Sequence, residues 1–161
     1  MGPVNWLAVV AAAIAAFAVG GLWFGPLFGR AKLEEVGPGG LAARSNPGRT
    51  LGITAALMLV SATMLGHLFA RLPAENLTAK PWLYYTMSGG LAIGFVIPAL
   101  WISYTHQKLT TRLAMIDAGY WLVSYLAMAL PSGCWARRQS APRPAASRAS
   151  RPAASPASAR R

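Results

Sequence analysis

Four long apolar stretches separated by short polar ones set the plan of this chain: residues 4–28, 50–70, 81–104 and 113–135. At about 1.5 Å of rise per residue, the first reaches roughly 37 Å as a helix, against about 30 Å of hydrocarbon in a bilayer. The pattern predicts an all-α fold, a four-helix transmembrane bundle. Residues 1–19 carry no charged side chain, and the character then changes abruptly at Arg30, Lys32, Glu34 and Glu35. That change reads as a helix leaving a bilayer. Aromatic residues fall where interfacial belts are expected: Trp6 and Trp23 at the two ends of the first stretch, Trp82, Tyr84 and Tyr85 at the start of the third, Trp101 and Tyr104 at its end.

Within the stretches, small residues recur every fourth position. Ala8, Ala12, Ala16 and Gly20 form one row; Gly21, Gly25 and Gly29 form a second; Ala62, Gly66 and Ala70 a third; Gly90 and Gly94 a GxxxG pair. Such rows let helix backbones approach closely, a main route to association in lipid. The helix-packing expectation rests on Gly21, Gly25, Gly29, Gly90 and Gly94. Pro26, Pro98 and Pro131 each remove a backbone donor and predict kinks. Between the stretches, residues 30–49 read as a Gly- and Pro-rich loop with a short interfacial helix over 30–36. Residues 71–80 read as a polar link and 105–112 as a short polar turn.

Composition sharpens this plan. The chain has 161 residues, 55% apolar and only 12% charged, with a mean hydropathy of +0.40. That charged fraction is half of what a soluble domain carries, about 25%. The net charge of +11 would ordinarily suggest a nucleic-acid partner. Here residues 137–161 hold seven Arg and no acid, so most of the excess sits in a low-complexity tail and no specific nucleic-acid partner is expected. The expected domains are therefore a four-span unit over 1–136 and a disordered Arg/Pro/Ala/Ser tail over 137–161. The interaction that the tail's charge suits is a weak one with anionic lipid headgroups. Cys134 is the only cysteine, which rules out an intramolecular disulfide. No motif calls for a metal or a cofactor. The positive-inside comparison is nearly balanced; the absence of Lys and Arg before the first stretch and their presence after it place loop 30–49 on the cytoplasmic side.

Asp117 is the most informative polar residue, the one acid inside an apolar stretch. A charge there needs a partner, water or protonation. It lies only about 6 Å past the start of its helix. Alternating spans put it on the same face as Trp23, Arg30, Lys32, Arg49, Thr54, Tyr104 and His106. His67 falls on the opposite face, which excludes an Asp117–His67 pair and groups His67 with Asn5, Trp6, Tyr85 and Ser132. The candidate polar or ligand site is therefore Asp117, Tyr120, Trp23, Tyr104 and His106. Residues 20–29 and 116–120 are expected to pack together, with Asp117 or Tyr120 hydrogen-bonding in the gap, including to backbone freed by Pro26. Two readings stay open: structural packing, or a small-ligand or lipid-headgroup pocket. No HExxH, P-loop, GxGxxG or GxSxG motif is present, and no catalytic residue is assigned.

The segment 4–9 (Val-Asn-Trp-Leu-Ala-Val), the segment 21–29 (Gly-Leu-Trp-Phe-Gly-Pro-Leu-Phe-Gly) and the segment 116–120 (Ile-Asp-Ala-Gly-Tyr) resemble the bacterial membrane family called domain of unknown function 1761, over roughly residues 3–135. The resemblance implies a four-helix membrane protein of unassigned activity. This chain departs from the pattern at Phe24, where Tyr is expected, at Leu33, where an aromatic is common, and at Trp121, where His often follows Tyr. A hydroxyl and an imidazole are thereby lost from the shared face, which weakens a catalytic or proton-relay reading. The expectation is a multi-pass protein of the bacterial inner membrane, its partner the lipid bilayer, with a structural or accessory role in a membrane assembly. A small transporter or channel subunit with a polar site around Asp117 is the rival, and it would have to be a homo-oligomer. A membrane-embedded enzyme is the third reading.

Overall fold

The structure, a computed structural model, describes residues 4–37 and 46–140. The described residues are helical throughout, with no strand. In chain order the helices are α1 (Trp6–Leu22), α2 (Gly29–Val36), α3 (Pro47–Ala70), α4 (Ala74–Ala79), α5 (Trp82–Leu91), α6 (Ile97–His106) and α7 (Thr111–Ser140). A π-helical turn over Trp23–Leu27 follows α1, and another over Ala92–Val96 joins α5 to α6. Four stretches are long and apolar enough to cross a membrane: Trp6–Leu27, Pro47–Ala70, Trp82–His106 and Thr111–Cys134.

Local chemistry explains the boundaries. Asn5 caps α1, its side-chain oxygen accepting from the Ala8 amide at 3.1 Å. Asn46 does the same for α3, accepting from Gly48 at 3.1 Å, and Pro47 follows at the first helical position. An Asn cap followed by Pro is a helix-start signature. The second span accordingly begins three residues before the expected residue 50. The polar link 71–80 is not wholly irregular, since α4 occupies most of it. The last helix runs to Ser140, so residues 137–140 are helical rather than part of a disordered tail. The rest of that tail, like residues 38–45 of the first loop, lies outside the described residues.

Two of the three expected kinks take the form of π turns. Pro26 has no amide hydrogen, and the chain widens around it: the Phe28 amide reaches back five residues to the Trp23 carbonyl at 2.8 Å. Ahead of Pro98 the Ile97 amide likewise bonds to the Ala92 carbonyl. Wider turns of this kind are a known response to a blocked α-helical ladder. At Pro131 α7 continues as an α-helix with no π turn.

α7 is the centre of the bundle. Half of its apolar window is buried, against 17–22% for the other three spans. α1 packs on α7, α3 packs on the far side of α1, and α5 packs on α7. The α1 contact surface is the first small-residue row: Ala8, Ala12 and Ala16 are all buried, Ala16 completely. Met58, Ala62 and Leu65 from α3 and Met128 and Ala129 from α7 complete the core with Phe69 and Tyr84.

The third row also packs, with Ala62 buried and Gly66 against Val9, but the second row and the GxxxG pair behave differently from expectation. Gly21, Gly25, Gly90 and Gly94 are exposed, and a Cβ added at any of them meets nothing within 4 Å. They do not mediate packing within the described chain. The glycines that do are Gly66 and two neighbours of the exposed ones, Gly20 and Gly89. A Cβ at Gly20 would lie 3.2 Å from the Tyr120 hydroxyl, one at Gly66 2.7 Å from Val9, and one at Gly89 3.3 Å from Leu126. For Gly20 and Gly89 the reason is rotational: a shift of one residue, to Gly21 or Gly90, turns the position by about 100° around the helix, off the contact face.

Candidate functional site

The site is assembled where α1 ends, α2 begins and α7 starts its second turn. The π turn around Pro26 fixes the approach. Phe28 then leaves the helical region (φ −121°, ψ 5°), and α2 starts at Gly29. Gly29 is required for a steric reason, since a Cβ there would lie 2.5 Å from the Phe24 carbonyl oxygen. α2 thus lies against α7.

Asp117 is the centre of the cluster, its residue only 5% exposed. Lys32 Nζ donates to both carboxylate oxygens, at 2.8 Å to Oδ1 and 3.1 Å to Oδ2. The Tyr104 hydroxyl, from the end of α6, donates to Oδ2. The Lys32 ammonium also lies 4.0 Å from the centroid of the Phe24 ring. That position satisfies the cation on a second side through the negative face of the ring. Three elements distant in sequence are therefore tied to one carboxylate. Pairing a carboxylate this completely offsets the high cost of placing it in an apolar segment.

Beside this cluster is an aromatic seam. The Trp23 indole N–H donates to the Ile116 carbonyl at 3.1 Å, and its ring edge lies over Gly119, where a Cβ would come within 3.0 Å. The Phe24 and Tyr120 rings are 4.7 Å apart, and Trp23 and Phe28 are 4.6 Å apart. Segments 20–29 and 116–120 do pack together as their sequence suggests. The bonds are not the ones expected: Asp117 reaches Lys32 and Tyr104, not backbone freed by Pro26, and Tyr120 is a packing residue against Gly20 and Phe24.

A second clamp lies one turn further along α2. Glu35 accepts from the Thr110 hydroxyl and from Arg112 at 3.2 Å, while Glu34 lies 3.5 Å from the same guanidinium. The Thr110 hydrogen bond holds the Glu35 carboxyl below its ordinary range; burial opposes it, and the Arg112 guanidinium adds a lesser lowering. Lys32 and Glu35 are three residues apart on one face of α2, and they meet Asp117 and Arg112 of α7 in complementary order.

Of the sequence candidates, Asp117, Tyr104, Trp23 and Tyr120 come together; His106 does not. It is exposed at the last position of α6, two residues after Tyr104 and thus about 200° around the helix from it. Lys32 was only one of several cations assigned to this face, and the structure makes it the central partner. His67 lies at the opposite end, 2.9 Å from the Thr63 carbonyl of its own helix and edge-on to Trp6 at 6.0 Å. Among the described residues no three His, Cys, Asp or Glu side chains gather as metal ligands. An open cleft of about 480 Å³ adjoins the cluster, lined by Phe24, Gly25, Gly29, Arg30, Lys32 and Leu33.

The family model for DUF1761, described as a protein of unknown function, matches residues 7–131. No curated protein matches the chain, and no solved structure does. The matched region contains α1 through most of α7 and every residue of both clamps, and the chain belongs to this family.

Proposed function

We propose that this DUF1761 protein is a multi-pass integral membrane protein of the bacterial inner membrane with a structural or accessory role in a membrane assembly. The observation that carries this is the closed state of Asp117. Both of its oxygens are taken, by Lys32 and Tyr104, at the end of an apolar helix. A carboxylate so engaged is an anchor for α2, with three of its roughly four acceptor sites already taken. The lipid bilayer is the primary partner, loop 30–49 faces the cytoplasm, and the Arg-rich tail lies near anionic headgroups.

The test has two stages. In membranes from cells expressing the protein, alkaline carbonate extraction should leave the chain in the pellet; release to the supernatant ends the membrane reading. Single cysteines at positions 23, 104 and 117, in a Cys134→Ser background, should then be protected from a membrane-impermeant thiol reagent. Rapid labelling at all three positions would sink the closed-anchor reading.

One observation favours the second reading, an oligomeric transporter or channel subunit. The Ser88 and Ser124 hydroxyls, on α5 and α7, are fully buried; Ser88 has no partner in hydrogen-bonding geometry among the described residues, and Ser124 lies beside the Tyr120 hydroxyl. They extend the polar character of the bundle inward from Asp117. Labelling of a Ser124→Cys variant by a small water-soluble reagent would favour that path over the anchor. The enzyme reading has less support, because Tyr104 is already committed to Asp117 and His106 stands apart.

A further inference from the structure

We infer that the cleft between α2 and the π turn of α1 binds the phosphodiester of an anionic phospholipid, with Arg30 as its main ligand. The inference rests on the membrane reading above and adds a specific lipid site to it. Six residues line the cleft: Phe24, Gly25, Gly29, Arg30, Lys32 and Leu33. Two are cations and none is an acid. The Lys32 charge is compensated by Asp117 at 2.8 Å. The Arg30 charge is not: it is exposed and has no partner among the described residues. The cleft therefore presents one uncompensated guanidinium, whose planar fork suits two oxygens of a phosphate.

The rest of the lining is apolar, with Phe24 on one wall and Leu33, 56% exposed, on the other. A ligand that is anionic at one end and hydrocarbon at the other matches both halves. The level also fits. Arg30 comes three residues after the apolar span ends at Leu27, at the boundary where a bilayer's phosphates would lie. Inward from the cleft, Gly21 and Gly25 leave the surface of α1 without side chains, a shallow channel in which an acyl chain can lie.

A second copy of the chain fits this cleft less well. None of its four acids is free to meet Arg30, since Asp117, Glu34 and Glu35 are paired and Glu75 is engaged as well. A two-fold contact through this face would also bring Arg30 against its own copy.

The full-length protein, purified in a neutral detergent, should be examined by native mass spectrometry with dioleoyl phosphatidylglycerol, dioleoyl phosphatidylcholine or inorganic phosphate. One phosphatidylglycerol should bind at least fivefold more tightly than phosphatidylcholine. Arg30→Gln should abolish that preference, while Lys80→Gln, a cation outside the cleft, should leave it intact. Gly25→Leu should weaken the lipid but not phosphate if the acyl chain uses the channel. Displacement of lipid by millimolar phosphate, with Gly25→Leu silent, would identify a free-phosphate site and overturn the lipid assignment. Equal lipid affinity in wild type and Arg30→Gln, or dimerisation lost in Arg30→Gln without any lipid preference, would overturn the inference altogether. Alkaline release of the protein from membranes is a separate failure, that of the membrane reading itself.

Discussion

The two ends of the bundle are held by different physics. At the Asp117 end, a carboxylate from α7, an ammonium from α2 and a phenol from α6 converge on one point. At the opposite end the helices meet through apolar packing. Gly66 of α3 receives Val9 of α1 and Val4 just ahead of it, Phe69 and Tyr84 meet edge-on at 4.8 Å, and His67 bonds within its own helix. The contacts at one end are directional polar bonds; the helix contacts at the other are matters of shape. The difference follows from what each end must hold. The far end joins long helices with large apolar faces, whereas the near end must capture α2, eight residues with no buried side chain. An isolated helix that short is unstable in water. Its order has to come from the clamps.

Breaking the polar end should therefore give the largest effect. Asp117→Leu leaves the Lys32 ammonium and the Tyr104 hydroxyl without their acceptor. Removing one partner of a well-buried ion pair costs about 3–5 kcal/mol; Lys32 keeps 23% exposure and can turn toward water, so about 2–3 kcal/mol is expected. Asp117→Asn retains an acceptor for Tyr104 and should lose roughly half as much. Thermal unfolding in detergent, followed by near-ultraviolet circular dichroism, measures both. If Leu matches wild type, Asp117 is not an anchor, and the contrast between the two ends collapses.

The helix contacts at the far end should respond to volume. Gly66→Leu drives a side chain into Val9, which a Cβ alone would approach to 2.7 Å, and overpacking of this kind costs about 1–3 kcal/mol. Gly90→Ala, on an exposed helical surface with open space around it, is the matched control. It should be neutral or stabilising by up to about 1 kcal/mol, from helix propensity. The same unfolding measurement decides between them. Equal losses for the two variants would mean that Gly90 packs against something outside the described chain.

Much of this arrangement was legible in the sequence. The four spans follow from apolar length, and alternation of spans puts Asp117, Trp23 and Tyr104 at one end with His67 at the other. Those conclusions use only topology, which spacing determines well. What needed coordinates was rotation about helix axes. Gly20 and Gly21 differ by one position in sequence, yet one faces Tyr120 and the other faces outward. Tyr104 and His106 differ by two, and only the first reaches Asp117. The choice of Lys32 over Arg30 and Arg49 depends on the exit angle that the π turn at Pro26 imposes, and no residue pattern encodes that angle directly. The Asn46–Pro47 helix start was a readable signal, obscured by reading Asn-Pro-Gly as loop punctuation.

The smallest effect belongs to the outer clamp, and it has a definite sign with pH. Glu35 is held below its ordinary carboxyl range, chiefly by the Thr110 hydroxyl and then by Arg112. A group whose folded pKa is depressed contributes stability above its unfolded pKa, and the contribution disappears as pH falls through the folded value. The attachment of α2 should accordingly be unchanged from neutral pH down to the ordinary carboxyl pKa of about 4.3. It should weaken below that, as Glu35 takes up a proton. Amide hydrogen exchange in α2 reads this locally, without requiring global unfolding. In Glu35→Gln the α2 amides should exchange somewhat faster than in wild type at neutral pH, and the acid-dependent component should vanish. Because the pair is near water, the change should be small beside that of Asp117→Leu. An acid response that survives unchanged in Glu35→Gln would assign the titration to another group, and α2 would then depend on the Asp117 clamp alone.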